Sequence, residues 1–204
     1  MSVESWICNK YWLATREWIE EHGVEGKFGL LGRTLLAFAV VYEAPLDLVE
    51  FIWSKNPSVI HATDRNDTTA LFGYPNPDVT EFLLEKGSDP NVLSDGNIPV
   101  LCYFVHCYMG NEDNYGFTNV ALLLKYGANP HFKVNGEHTV FHYIIEKMQK
   151  PEEGIDVERA FQIGEFLHHT WTLFVLAQTH HPRVGPKSLR LPLDMFRTLK
   201  RFLL

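Results

Sequence analysis

The chain has 204 residues, 46% hydrophobic and 13% aromatic, enough apolar material for a sizeable buried core. Its net charge is −7 and its basic residues cluster only in the last 22 positions, which argues against nucleic-acid binding. No apolar run is long enough to span a membrane, no secretory signal precedes the first helix, and three cysteines form no disulfide framework, so we expect an intracellular protein, cytoplasmic or nuclear.

The first predicted element is one amphipathic helix, or two short ones, within residues 3–21. Ile7, Tyr11 and Trp18 fall at helical spacing and give the segment an apolar, aromatic side. Such a stripe can insert into a membrane surface, but a terminal repeat of a stacked array needs the same kind of side. We expect this segment to cap an array.

A recurring unit follows. Three segments end an apolar helical stripe with two polar residues and a Gly, and a second Gly stands nine positions later. The pairs are Gly23 and Gly32, Gly87 and Gly96, and Gly127 and Gly136. A Gly at this position predicts a helix end in the left-handed conformation. A unit that recurs in this way indicates a stacked repeat array.

The helix starts and stops agree with this interpretation. Thr34 precedes an apolar run and is a good N-cap residue. Asp89-Pro90 and Asn129-Pro130 prevent the preceding helices from continuing, because the residue before Pro is pushed out of the α region. Each unit therefore predicts a polar turn followed by a new helix.

The unit resembles the ankyrin repeat, which opens with Thr-Pro-Leu-His and closes with Gly-Ala-Asp-Pro-Asn. Thr69-Ala70-Leu71-Phe72 stands in the place of the opening, Ile98 takes the Thr position of the next copy, and Thr139-Val140-Phe141-His142 forms a third. Gly87-Ser88-Asp89-Pro90-Asn91 and Gly127-Ala128-Asn129-Pro130 match the closing motif. The resemblance implies an all-α solenoid of four to five irregular repeats with degenerate capping helices.

The resemblance covers roughly residues 11–170. It divides the chain into an N-terminal cap (1–31), ankyrin-like repeats (32–170) and a C-terminal cap (171–204), with Thr172 opening a degenerate fifth repeat. Pro75 and Pro77 predict that the first helix of this repeat is short and ends soon after Phe72. Residues 109–116 are a polar insert, which is either neutral drift or part of a binding surface.

Ankyrin repeats bind proteins through their hairpin tips and the exposed side of their inner helices, which form a concave surface. The resemblance therefore implies a protein–protein interaction module whose partner is a protein. Carried over by position, the expected partner-binding residues are Tyr42, Arg65, Asn66, Thr68, Asp95, Asn97, His106, Lys133, Glu137 and Lys147.

The last segment resembles the opening of an F-box, with Leu-Pro, an acid two residues later and an amphipathic helix. F-boxes bind the Skp1 adaptor of cullin ubiquitin ligases, and poxvirus ankyrin proteins carry a short F-box-like segment at the C-terminus. The resemblance implies a substrate adaptor in a host–virus interaction, while a plain cap explains the same apolar stripe. The expected adaptor-binding residues are Leu191, Pro192, Phe196, Leu199 and Phe202.

The sequence offers little for catalysis. No phosphate loop, nucleophile elbow or acid–base pair occurs. Cys102 and His106 stand four residues apart beside Cys107, but structural zinc needs four ligands and no second pair lies nearby. We expect no enzyme activity, no cofactor and no metal; metal binding or an enzymatic role is the remaining alternative.

Overall fold

The computed structural model describes residues 2–73, 75–110, 115–132, 139–149 and 154–180, with side chains described as far as residue 170. Within these ranges the chain is all-α, as expected, and two isolated β-bridges are its only extended pairings. The α-helices are α1 (Val3–Cys8), α2 (Trp12–His22), α3 (Leu35–Val41), α4 (Leu46–Lys55), α5 (Pro77–Glu85), α6 (Val100–Met109), α7 (Gly116–Lys125), α8 (Val140–Gln149) and α9 (Val157–His180). Two short 3-10 helices span Pro57–His61 and Ala70–Gly73.

The chain forms two compact units, Met1–Val100 and Leu101–Leu204. The first contains α1 to α5 and both 3-10 helices, and the second contains α7 to α9 and nearly all of α6. Each unit is described separately below.

The N-terminal segment forms two short helices, one of the two expected arrangements. They are separated at Lys10, which has a positive φ of 59°. Ile7 and Ile19 are buried, whereas Tyr11 is 55% exposed and does not belong to the apolar side. The N-terminal helices therefore contribute aliphatic side chains to the core of the first unit.

The predicted helix ends are confirmed where the structure describes them. Gly23, Gly87 and Gly127 follow α2, α5 and α7 and all have positive φ, a conformation that costs Gly little. Thr34 caps α3, because its Oγ1 accepts a hydrogen bond from Ala37 N at 3.2 Å. Glycines therefore mark the ends of α2, α5 and α7, and a threonine marks the start of α3, as predicted.

The helix shortened by proline is also confirmed. The first helix of this repeat is only the four-residue 3-10 helix Ala70–Gly73. It packs closely against α3, because a Cβ at Gly73 would lie 2.8 Å from Val40 Cγ1. The next helix, α5, begins at Pro77 and is capped by the side chain of Asn76. A proline in the first helical turn loses no hydrogen bond.

Two sequence expectations about helix starts are wrong. The first is that Ile98 takes the Thr position. Thr34 and Thr69 each stand directly before a helix, α3 and the second 3-10 helix, but the residue directly before α6 is Pro99 and not Ile98. The fixed φ of Pro suits this place, and Ile98 instead accepts a hydrogen bond from Ser94 N in the preceding turn. No new helix opens at Thr172, because α9 runs without a break to His180.

Helix α9 contributes an apolar side to the core of the second unit. Ala160, Ile163 and Leu167 recur at helical spacing and are fully buried. Gly164 lies on the side of α9 that meets α8, where a Cβ would be 3.6 Å from a methyl of Ile144. The continuous helix therefore stands where a degenerate fifth repeat was expected to open at Thr172.

Candidate functional site

Three hairpin tips of the first unit lie side by side in the same register. Tip 1 is residues 28–33, tip 2 is residues 63–68 and tip 3 is residues 93–98; together we call them the tip row. Arg65 N donates to Leu31 O at 3.0 Å, which joins tips 1 and 2. Asp95 N donates to Asn66 O at 2.8 Å, which joins tips 2 and 3. These two bonds make the tips one continuous edge.

The backbone conformation repeats along the row. The residues at the same place in the three tips, Gly32, Asp67 and Asn97, have φ of 64°, 55° and 52°. Asn and Asp adopt this region more readily than other residues that carry a Cβ. In tip 3 the residue with positive φ is therefore Asn97 and not Gly96. Asn97 stands two positions before Pro99, as Gly32 stands two positions before Thr34.

A buried carboxylate holds tip 2 together. Asp64 Oδ1 accepts hydrogen bonds from the backbone amides of Asn66 at 2.9 Å and Thr68 at 3.1 Å. Its Oδ2 faces Arg33 Nε at 3.4 Å, an ion pair without hydrogen-bond geometry, and the carboxylate side chain is fully buried. Asp64 therefore closes tip 2 and links it to Arg33 in tip 1.

The expected tip residues lie together in this row. Arg65 is exposed, and its Nη1 donates to Leu30 O at 3.1 Å. Asp95 and Asn97 are exposed in tip 3, whereas Asn66 and Thr68 are half-buried and their amides bond to Asp64. The outward side chains at equivalent positions of the three tips are Leu30, Arg65 and Asp95. Leu30 was missed by sequence reasoning, because a Leu-Leu pair between two glycines does not reveal which leucine faces solvent.

Tyr42 belongs to none of the three tips. It ends α3, its ring packs on Phe38 at 4.9 Å between ring centroids, and it is half-buried. A hydrogen bond with the Cys8 thiol raises the pKa of Tyr42, with a further contribution from burial. Its hydroxyl is thus engaged with α1.

In the second unit, two expected residues meet around a third that was not predicted. His106 Nδ1 lies 2.5 Å from the hydroxyl of Tyr143, and Lys147 Nζ lies 5.5 Å from the centre of the Tyr143 ring. All three side chains are half-buried. The spacing of Tyr143 and Lys147, four residues apart on α8, was the available signal. We call this group the α6–α8 cluster.

The cysteines of α6 are poorly suited to bind a metal. Cys102 and Cys107 are buried, and burial raises the pKa of Cys102 to about 12, which disfavours the thiolate that zinc requires. Burial, and to a smaller degree nearby His168, lowers the pKa of His131. In the described part of the chain no three His, Cys, Asp or Glu side chains are placed to share a metal ion.

Several expected site residues lie outside the described residues. They are Lys133, Glu137, Leu191, Pro192, Phe196, Leu199 and Phe202.

Among the described residues, no helix combines the length and the apolar character needed to cross a bilayer. The chain matches no protein-family model and no curated protein.

Proposed function

We propose that this protein is an ankyrin-like interaction module that binds a protein partner along the tip row. The observation that carries the proposal is the register of the three tips: two backbone hydrogen bonds join them, and one outward side chain stands at the same place in each. Those side chains are apolar in Leu30, cationic in Arg65 and anionic in Asp95. Such a row offers a protein surface three different contacts along one edge.

The tips suit binding because they are already ordered. Immobilising a flexible side chain or loop on binding costs free energy, and a surface held in place beforehand avoids most of that cost. The Asp64 carboxylate fixes tip 2 from inside, and Arg65 is tethered to Leu30 O while part of its surface faces solvent. The α6–α8 cluster of the second unit is a separate candidate contact.

The ankyrin-like assignment is supported by three features. Gly residues of positive φ end α2, α5 and α7, a Thr caps α3, and hairpin tips precede α3 and α6. All three features were expected from the repeated sequence unit. A solenoid presents residues of successive repeats on a shared surface, and the tip row is the part of that surface we assign to the partner.

The test compares wild-type protein with the variant Arg65→Glu/Asp95→Lys. The wild type is used to capture proteins from a cell lysate, the captured partner is purified, and its affinity for both forms is measured by calorimetry. We expect the double variant to bind at least about tenfold more weakly, because two tip contacts become repulsive. Glu50→Lys, an exposed charge change on α4, is the control and should bind like wild type. Equal affinity of all three forms would contradict the proposal.

A second candidate is a substrate adaptor that recruits Skp1 and cullin through residues 191–203. It is favoured by the Leu-Pro start, the following acid and the apolar spacing of that segment. Purified Skp1–cullin complex is tested against the full chain and against residues 1–186. Binding by the full chain alone supports the adaptor, and absence of binding by both forms eliminates it. The proposed binding by the tip row stands in either case.

A further inference from the structure

The side chain of Leu30 is 93% exposed at the end of tip 1, which makes it the most exposed large apolar residue in the described ranges. A single exposed leucine is ordinary on a protein surface. Two further features distinguish Leu30: its backbone is anchored by hydrogen bonds, and cationic side chains flank the tip that carries it.

Tip 1 is fixed from several sides. Phe28 and Arg33 exchange two backbone hydrogen bonds of 2.8 and 2.9 Å across its base. Glu4 Oε1 accepts a hydrogen bond from Gly29 N at 2.8 Å, and Arg65 Nη1 donates to Leu30 O at 3.1 Å. The backbone on both sides of the leucine is therefore anchored, and its side chain is presented at a defined place.

Cationic side chains border tip 1, although the chain carries a net charge of −7 and the adjoining tip 2 also exposes Asp67. A Cβ at Gly32 would lie 3.6 Å from Arg65 Nε, and Lys27 Nζ donates to Thr63 O of tip 2 at 3.0 Å, so two cations flank tip 1. Arg33 is a third, and its side chain is 27% exposed. The nearby carboxylate of Glu4 is engaged with a backbone amide of the tip, and that of Asp64 is buried against Arg33.

We propose that Leu30 is the anchor residue of the interface, and that its ligand is an acidic segment of a protein partner. Apolar side chains of that segment would pack around Leu30, and its carboxylates would pair with Lys27 and Arg65. Buried apolar anchors in a charged rim supply most of the energy of many protein interfaces. The inference rests on the proposed function and adds to it the chemical class of the ligand.

The probe is a library of random 12-residue peptides displayed on phage. The library is selected on the wild type and depleted on Leu30→Asp, and the consensus peptide is synthesised with a fluorescent label for anisotropy measurements. We expect acidic peptides that contain aliphatic or aromatic residues. Leu30→Asp should weaken their binding at least about tenfold, Lys27→Glu should weaken it by a smaller factor, and added salt should weaken it further.

Leu13→Asp is the matched control, because Leu13 is also strongly exposed, at 73%, but lies on α2. It should leave peptide binding unchanged. Leu30→Ser is a second, uncharged variant, and thermal melting of each variant shows that the fold is kept. Both Leu30 variants should lose affinity without a lower melting temperature.

Two results would overturn the inference. One is a selection that yields no peptide able to distinguish wild type from Leu30→Asp, and the other is a set of discriminating peptides that are not acidic. The affinity of the purified partner for the variants distinguishes failure of this inference from failure of the proposed function. If the partner no longer binds Arg65→Glu/Asp95→Lys but binds Leu30→Asp as tightly as the wild type, only the role of Leu30 is rejected. Full binding by both variants rejects the role of the tip row as well.

Discussion

Replacement of Asp64 by alanine tests whether one buried carboxylate organises the tips. Asp64→Ala removes the acceptor of two backbone amides, those of Asn66 and Thr68, and the ionic partner of Arg33. The amides lose their bonds inside a part-buried turn, whereas Arg33 is 27% exposed and regains some contact with water. The main cost therefore comes from the two amides.

The magnitude follows from these contacts. A hydrogen bond to a charged group contributes about 1.5–3 kcal/mol, and the buried carboxylate also costs desolvation, so we expect a net loss of about 3 kcal/mol. Asp64→Asn can keep one oxygen for the two amides and loses the charge, so a smaller loss of about 1–2 kcal/mol is expected. Asp64→Ala should therefore lower the free energy of unfolding more than Asp64→Asn does.

Urea unfolding followed by tryptophan fluorescence is the assay, because four of the five tryptophans lie in the first unit. The control is Glu50→Ala, which removes an exposed carboxylate from α4 and should change stability by less than about 0.5 kcal/mol. If Asp64→Ala unfolds at the same urea concentration as Glu50→Ala, the role we assign to Asp64 is refuted.

Four further outcomes are expected. Gly29→Ala should destabilise by about 1–3 kcal/mol in urea unfolding, since φ is 66° and the new Cβ would lie 2.9 Å from an aromatic carbon; wild-type stability would contradict the geometry. In native protein at pH 8 a thiol reagent should modify Cys8 alone, whereas the two buried cysteines should react only after unfolding. Because the pKa of Cys102 is raised from 9.0 to about 12, the unfolded state loses that proton first, and stability should fall as pH rises through this window, as pH-dependent urea unfolding would show. Tyr143→Phe should cost about 1 kcal/mol in urea unfolding through loss of its bond to His106, and an unchanged midpoint would argue against that bond.

Local sequence signals predicted the parts of the fold that local interactions determine. A Gly with positive φ, a Thr cap and a Pro in the first helical turn act over a few residues, so Gly23, Gly87 and Thr34 were predicted correctly. The shortened helix was also predicted, because Pro75 acts on its immediate neighbours.

The features that sequence reasoning missed depend on contacts between distant residues. Helix α6 begins after Pro99 rather than Ile98 because tip 3 pairs in register with tip 2, which the spacing of motifs does not reveal. The apolar run that follows Thr172 was misleading, because an apolar pattern typical of a new repeat can also lie inside a longer helix. His106 and Tyr143 are 37 residues apart in the chain, and only folding brings them together.

The most direct test of the tip row is the affinity of the purified partner for one triple variant, Leu30→Asp/Arg65→Glu/Asp95→Lys. It changes the outward side chain of every tip. All three residues are exposed, so the variant should stay folded, with a melting temperature lowered only by the loss of the hydrogen bond from Arg65 to Leu30 O. Calorimetry should show binding at least about 100-fold weaker, as expected when two or more anchor contacts are lost. An affinity within about threefold of the wild type, in a correctly folded variant, would contradict the claim that the tips bind the partner.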